Sequence, residues 1–176
     1  MTRTLRRRAW LTGAALVVAG AVLAVLLPTR YGDGGPLARI DGFAVHIPAS
    51  NGEVFTWGTV LPRNETLDPV RIESIELVNP SSIEIVGLGV NDPDAEGAVG
   101  TAHGYPPAGM DIDVAEGREI GPAGEPREHL QVIVGVRLSG SSTGRIEGIR
   151  VRYEHAGTRY EDVLPYSLEI GAPTDD

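Results

Sequence analysis

Period-two hydrophobic alternation, recurrent Gly/Pro/Asn/Asp turn clusters and one long uncharged apolar run predict an all-β chain. The expected architecture is a two-sheet antiparallel sandwich preceded by a single N-terminal transmembrane helix. The chain has 176 residues, 41% of them hydrophobic and 22% charged, which is a globular composition for about one domain. With no cysteine, it has no disulfide framework, thiolate metal site, cysteine nucleophile or lipidated cysteine.

The apolar run spans residues 9–27 and ends at Pro28. As a helix it is about 28 Å long, matching the ~30 Å hydrocarbon core of a bilayer. Trp10, Leu11, Leu16, Val17, Val18, Val22, Leu23, Val25, Leu26 and Leu27 are its candidate membrane-anchor residues. Arg3, Arg6, Arg7 and Arg8 precede it and only Arg30 follows closely, so the positive-inside rule keeps residues 1–8 in the cytoplasm. The span is taken as 9–28, an uncleaved signal-anchor. The alternative is a cleaved signal, with Val22 and Ala24 before the cut or with Arg7-Arg8 as a twin-arginine signal, giving a secreted protein. In both cases the rest of the chain lies outside the cytoplasm.

Residues 29–41 read as a Gly/Pro spacer, 42–171 as the folded domain and 172–176 as a tail. Strand signals fall at 42–48, 53–60, 69–78, 82–90, 111–115, 130–138, 145–154 and 158–170, the last interrupted near Pro165. In 130–138, Leu130, Val132, Val134, Val136 and Leu138 alternate with Gln131, Ile133, Gly135 and Arg137, so one face is expected buried and the other wet. The apolar phase slips between Ile72 and Ile75, which a β-bulge near Glu73 and Ser74 absorbs; a short helix there is the alternative. About eight strands in some 130 residues suit an immunoglobulin-like arrangement, with Trp57 as a core residue between the sheets.

All 15 basic residues are Arg. From residue 31 onward 10 Arg face 24 carboxylates, about −14, and such a body repels phosphate backbones. Nucleic acid is therefore excluded as a partner.

Three segments carry a resemblance: Asn64 to Val78 (NETLDPVRIESIELV), the Gly104-Tyr-Pro-Pro107 loop, and Gly148 to Tyr160 (GIRVRYEHAGTRY). They resemble uncharacterised single-span exported β-sandwich proteins of GC-rich Gram-positive bacteria. The resemblance implies an extracytoplasmic sandwich and carries no assigned activity, so no functional residue is transferred.

Chemical motifs are sparse. Gly140-Ser-Ser-Thr-Gly144 matches G-x-S-x-G with Ser142 as nucleophile, but it lies between two strands, where a hairpin loop is the simpler reading. Asp92, Asp94 and Glu96, followed by Gly97, match the first half of a calcium loop, yet His103 stands where a bidentate Glu belongs. His46, His103, His129 and His155 lack metal-binding spacing. Asn64-Glu65-Thr66 reads as a turn. Residues 91–128 form a long Gly/Pro-rich connection, either a binding surface or a floppy insertion. Arg137, Arg150, Arg152 and Arg159 with Glu147, Glu154 and Glu161 are expected to share one outward sheet face.

The sequence therefore points to a noncatalytic binding or scaffolding module of the bacterial cell envelope, single-span, with no cofactor and an envelope protein or ligand as partner. The alternatives are an exported ligand- or calcium-binding domain and, third, an exported enzyme.

Overall fold

Strand-forming sequence in this chain organises around β-branched residues that alternate inward, and the computed structural model follows that pattern. It describes residues 34–140 and 143–172. The predicted anchor, its flanking arginines, Ser142 and residues 173–176 lie outside them. Among the described residues no helix is long and apolar enough to cross a membrane.

The described residues form eleven strands and one helical turn: β1 Phe43–Pro48, β2 Val54–Val60, β3 Val70–Val78, β4 Ile83–Asn91, α1 Pro93–Glu96, β5 Thr101–His103, β6 Glu119–Ile120, β7 Gln131–Leu138, β8 Thr143–Ile146, β9 Gly148–His155, β10 Thr158–Leu164 and β11 Tyr166–Gly171. The protein is all-β. Its strands divide into three hydrogen-bonded sheets rather than the two expected, in the orders β1-β11-β8, β10-β9-β3-β6 and β4-β7-β2-β5. All strand pairs are antiparallel except β1 with β11, which run parallel.

The first two sheets are one ribbon bent in the middle. Strands β8 and β9 are separated by Glu147, and β10 and β11 by Pro165, which cannot donate to a ladder. Pairing resumes past the break with a one-residue offset: Leu164 opposes Ile149, and Leu168 opposes Ile146. The bulge expected in β3 is present, as a register shift between Ile72 and Ser74 against β9. It restores Ile75 to the buried side with Val70 and Ile72.

The core joins both layers. Val70, Ile72, Ile149, Val151 and Tyr153 from one meet Trp57, Val132, Val134 and Val136 from the other, all 1% exposed or less. Trp57 is in the core as the sequence predicts. Three expectations are corrected. First, β7 is buried on both faces: Gln131 and Ile133 are as hidden as Val132 and Val134, because the long connection after β4 covers the presumed wet face. Second, the spacer is part of the body from its Pro36 onward. Leu37 is buried and bridges Asn64, while the Ala38 amide donates to the Arg63 carbonyl at 2.9 Å. Third, 111–115 contributes a single bridge, Val90 to Asp113, rather than a strand.

Candidate binding surfaces

The 91–128 connection is ordered by the sheet it crosses. The Gln131 carboxamide clamps Val99 through both backbone groups, accepting its amide at 2.9 Å and donating to its carbonyl at 2.6 Å. Thr56 donates its hydroxyl to the Gly104 carbonyl, and Val90 and Asp113 exchange backbone bonds at 2.9 Å. Strand glycines make the close approach possible. A Cβ on Gly58 would stand 2.1 Å from the Val99 carbonyl oxygen, and one on Gly135 would stand 2.4 Å from the Tyr105 ring. The segment is a fixed cover, so the floppy reading is corrected.

The acidic loop has a structural use. Asp92 adopts extended backbone geometry and caps α1, its Oδ1 accepting the amides of Asp94 at 3.0 Å and Ala95 at 3.3 Å. Its other oxygen lies 3.9 Å from Arg127 Nε. Asp94 and Glu96 are exposed on the turn, and among the described residues no three acidic or imidazole groups gather as a metal site would require. Beside this turn lies a cleft of about 150 Å³ containing Asp92, Asp113, Arg118 and Arg127, where Arg118 pairs with Asp113. Asp92→Ala is expected to cost about 1 kcal/mol in chemical denaturation through loss of the cap. Millimolar calcium is expected to leave the melting temperature where equal magnesium leaves it. A calcium-selective rise of several degrees would reinstate the calcium loop.

The histidines are scattered among local partners. His46 lies 3.5 Å from Glu169, His129 3.2 Å from Glu128, and His155 Nε2 3.0 Å from the Thr66 hydroxyl, while His103 packs on Phe55 with ring centroids 4.6 Å apart. The G-x-S-x-G segment is not a hairpin loop. Strand β7 pairs with β2 and β4 while β8 pairs with β11, so the two strands that flank the motif belong to different sheets. Asn64 forms the expected turn: fully buried, it donates to the Asp68 carbonyl at 2.7 Å and accepts the Thr66 amide at 2.9 Å.

The arginine face is only partly as expected. Arg150 and Arg152 both pair with Glu76 and Glu161, and Arg159 with Glu73, across β3, β9 and β10. Arg137 is on a different sheet and pairs with Glu84 at 2.8 Å. Glu147 instead accepts the Asn79 amide nitrogen. Partly exposed pairs of this kind contribute a few tenths of a kcal/mol each, and a face so internally neutralised offers little net charge to a partner.

A different feature was not legible in the sequence. Strand β1 lies parallel to β11 from Phe43 opposite Tyr166 onward, and just before that register begins a Cβ on Gly42 would stand 2.6 Å from the Pro165 carbonyl oxygen. Upstream of Gly42 the chain departs from β10. Between residues 34–40 and 162–165 it leaves a cleft of about 270 Å³, lined among others by Leu37, Arg39, Ile40, Asp162, Val163 and Leu164. Its Asp162 is held by Tyr153, whose buried hydroxyl donates to Asp162 Oδ2 at 2.5 Å. Burial, then that carboxylate, hold the Tyr153 ionisation far above the usual tyrosine range, with the Leu37 amide bond opposing them. Gly35 passes directly over this hydroxyl, where a Cβ would stand 2.0 Å from the oxygen. Tyr166, which follows Pro165 in the chain, donates to the Val60 carbonyl at 3.3 Å, and burial pushes its pKa up to about 12.

No protein-family model matches the chain, and no curated protein matches it. Among solved structures it is similar to the Vibrio cholerae VesB protease, at 11% identity and a TM-score of 0.40 over 78% of this chain. The chain spans 32% of that protein's length. A likeness of that degree carries no argument about activity.

Proposed function

We propose that this chain is a noncatalytic binding module of the bacterial cell envelope, tethered by one N-terminal span, with its β-domain outside the cytoplasm. The cleft between residues 34–40 and β10 carries the reading. Two backbone segments line it with no backbone hydrogen bond joining them, and its Asp162 is held in place by Tyr153. The tether is supported by the apolar run at 9–27 and the arginines before it. An immunoglobulin-like arrangement is supported by the strand orders β4-β7-β2 and β10-β9-β3, completed by the parallel β1-β11 pair. It also agrees with the resemblance to exported β-sandwich proteins.

The cysteine-free sequence makes the reading testable in intact cells. Thr158→Cys is expected to react with a membrane-impermeant maleimide without lysis, and Thr2→Cys only after lysis. A photo-crosslinking residue at Val163, 53% exposed beside the cleft, is expected to form a discrete adduct that the same residue at Leu67, 90% exposed, does not. Labelling of both cysteines only after lysis would defeat the topology. Identical crosslinking from both sites, or none from either, would defeat the binding surface.

A further inference from the structure

We propose that the cleft between residues 34–40 and β10 takes an extended, basic peptide segment, which enters as an added strand. The inference rests on the binding-module reading above and names its partner class.

The backbone accounting leads there. Strand β10 is paired with β9 along its whole length, Thr158 to Leu164, and lies at the edge of its sheet. In an antiparallel ladder alternate residues aim their N–H and C=O groups away from the partner, so the outer edge of β10 presents unspent donors and acceptors to the cleft. On the opposite wall the chain spends one edge on residues 63–65: Ala38 donates to Arg63, and Glu65 donates to Pro36. Arg39 and Ile40 line the cleft opposite Asp162 and Val163, and no backbone bond joins the two walls among the described residues. The Leu37 amide is engaged by the Tyr153 hydroxyl, so a strand placed between the walls finds partners on β10 on one side and on Arg39 and Ile40 on the other.

The edge of β4 competes poorly. Strand β4 is also an edge, with Ile85, Val86 and Leu88 exposed, but its ladder is broken by a register shift between Ile85 and Gly87, and its end is bridged by Asp113. A bulge twists an edge away from further pairing, and β4 offers one wall where the cleft offers two.

Size and charge select the occupant. About 270 Å³ lies just below the range of enclosed small-molecule pockets, and this cleft is open along its length, which suits a short stretch of extended chain. Arg39 offsets Asp162 within the cleft, so the sign of the partner is set by the body around it. Ten arginines against 24 carboxylates from residue 31 onward produce a negative field that draws in basic segments and repels acidic ones.

The test uses the full-length protein in detergent micelles and three N-acetylated octapeptides: one alternating Val or Thr with Lys, its Glu counterpart, and the Lys peptide with alternate backbone amides methylated. Binding is read by anisotropy, and its location by amide hydrogen exchange. The Lys peptide is expected to slow exchange in both 39–40 and 160–164. Its affinity is expected to exceed that of the Glu peptide at least tenfold at low salt, with the gap narrowing at high salt. Methylation is expected to abolish binding. Arg39→Cys with Val163→Cys, joined by a short bis-maleimide tether, is expected to lose binding that the two separately capped single variants retain. Protection confined to 83–90, no protection at millimolar peptide, or undiminished binding by the tethered protein would each overturn the proposal. If the Val163 adduct persists in cells while these peptides fail, the partner class is wrong and the binding module stands.

Discussion

Trp57→Ala is expected to lower the unfolding free energy by about 3–5 kcal/mol, and Trp57→Phe by about a third of that. The indole is fully buried on β2, with Thr101 of β5 on one side in register and Val134 of β7 on the other. Truncation to Ala removes the largest buried side chain among the described residues and leaves a cavity that sheet backbones cannot collapse to fill. The Phe variant differs in kind. Trp57 Nε1 is buried without a hydrogen-bond partner, and a desolvated, unanswered donor costs about 1–3 kcal/mol in the native state. Phenylalanine removes that donor along with the second ring, so the gain offsets much of the lost packing. Denaturant titration followed by far-ultraviolet circular dichroism measures both. Equal losses for Ala and Phe would mean that the indole nitrogen is satisfied in solution.

The second large effect is at Gly135. Gly135→Ala is expected to cost about 2–3 kcal/mol, near the upper end for overpacking, because the new methyl would stand 2.4–2.9 Å from Tyr105 Cγ, Cδ2 and Cβ, atoms close to the backbone that cannot swing away. Gly87, opposite Gly135 in register, faces the far end of the same ring, so Gly87→Ala is expected to cost less. Removing the ring with Tyr105→Ala should relieve most of the Gly135→Ala penalty, giving a coupling above about 1 kcal/mol in a double-mutant cycle. Strict additivity would show that Tyr105 does not occupy this glycine slot in solution.

Those glycines mark where the sequence was readable and where it was not. The longer strands, the β3 bulge and the core role of Trp57 were legible because each is written in the local period of apolar residues: Ile72 and Ile75 cannot both face inward without an extra residue between them. The burial of the second face of β7 was not, because Gln131, Ile133 and Gly135 look like a wet face until a segment some thirty residues away lies across them. Gly58, Gly87 and Gly135 were the available signal. Three glycines inside otherwise β-branched strands mark a close backbone approach. The Asp92 cap was hidden for a different reason: a carboxylate two or three residues before free amides satisfies a helix turn as readily as a cation loop, and spacing alone does not separate them. The cleft beside β10 was least legible of all. It exists because residues 34–40 run along β10 without pairing to it, a tertiary relation with no local pattern, and 29–41 accordingly read as mere spacer.

The parallel pairing of β1 with β11 also determines how the domain answers mechanical force. Phe43 stands opposite Tyr166 and Pro48 opposite Gly171, so the chain enters this pair at one end and leaves it at the other. Tension applied between the segment before Phe43 and the segment after Gly171 therefore pulls the two strands along their own axes in opposite directions. The rungs of the ladder are loaded together and must yield together, as in a lap joint under shear, instead of opening one by one as a zipper does. Rupture under load is then governed by a high unfolding barrier, and the adjacent Leu168 and Ile170, both fully buried, must leave the core in the same event. A domain held at its N-terminal side and loaded at its C-terminal side has its strongest line of resistance along that axis.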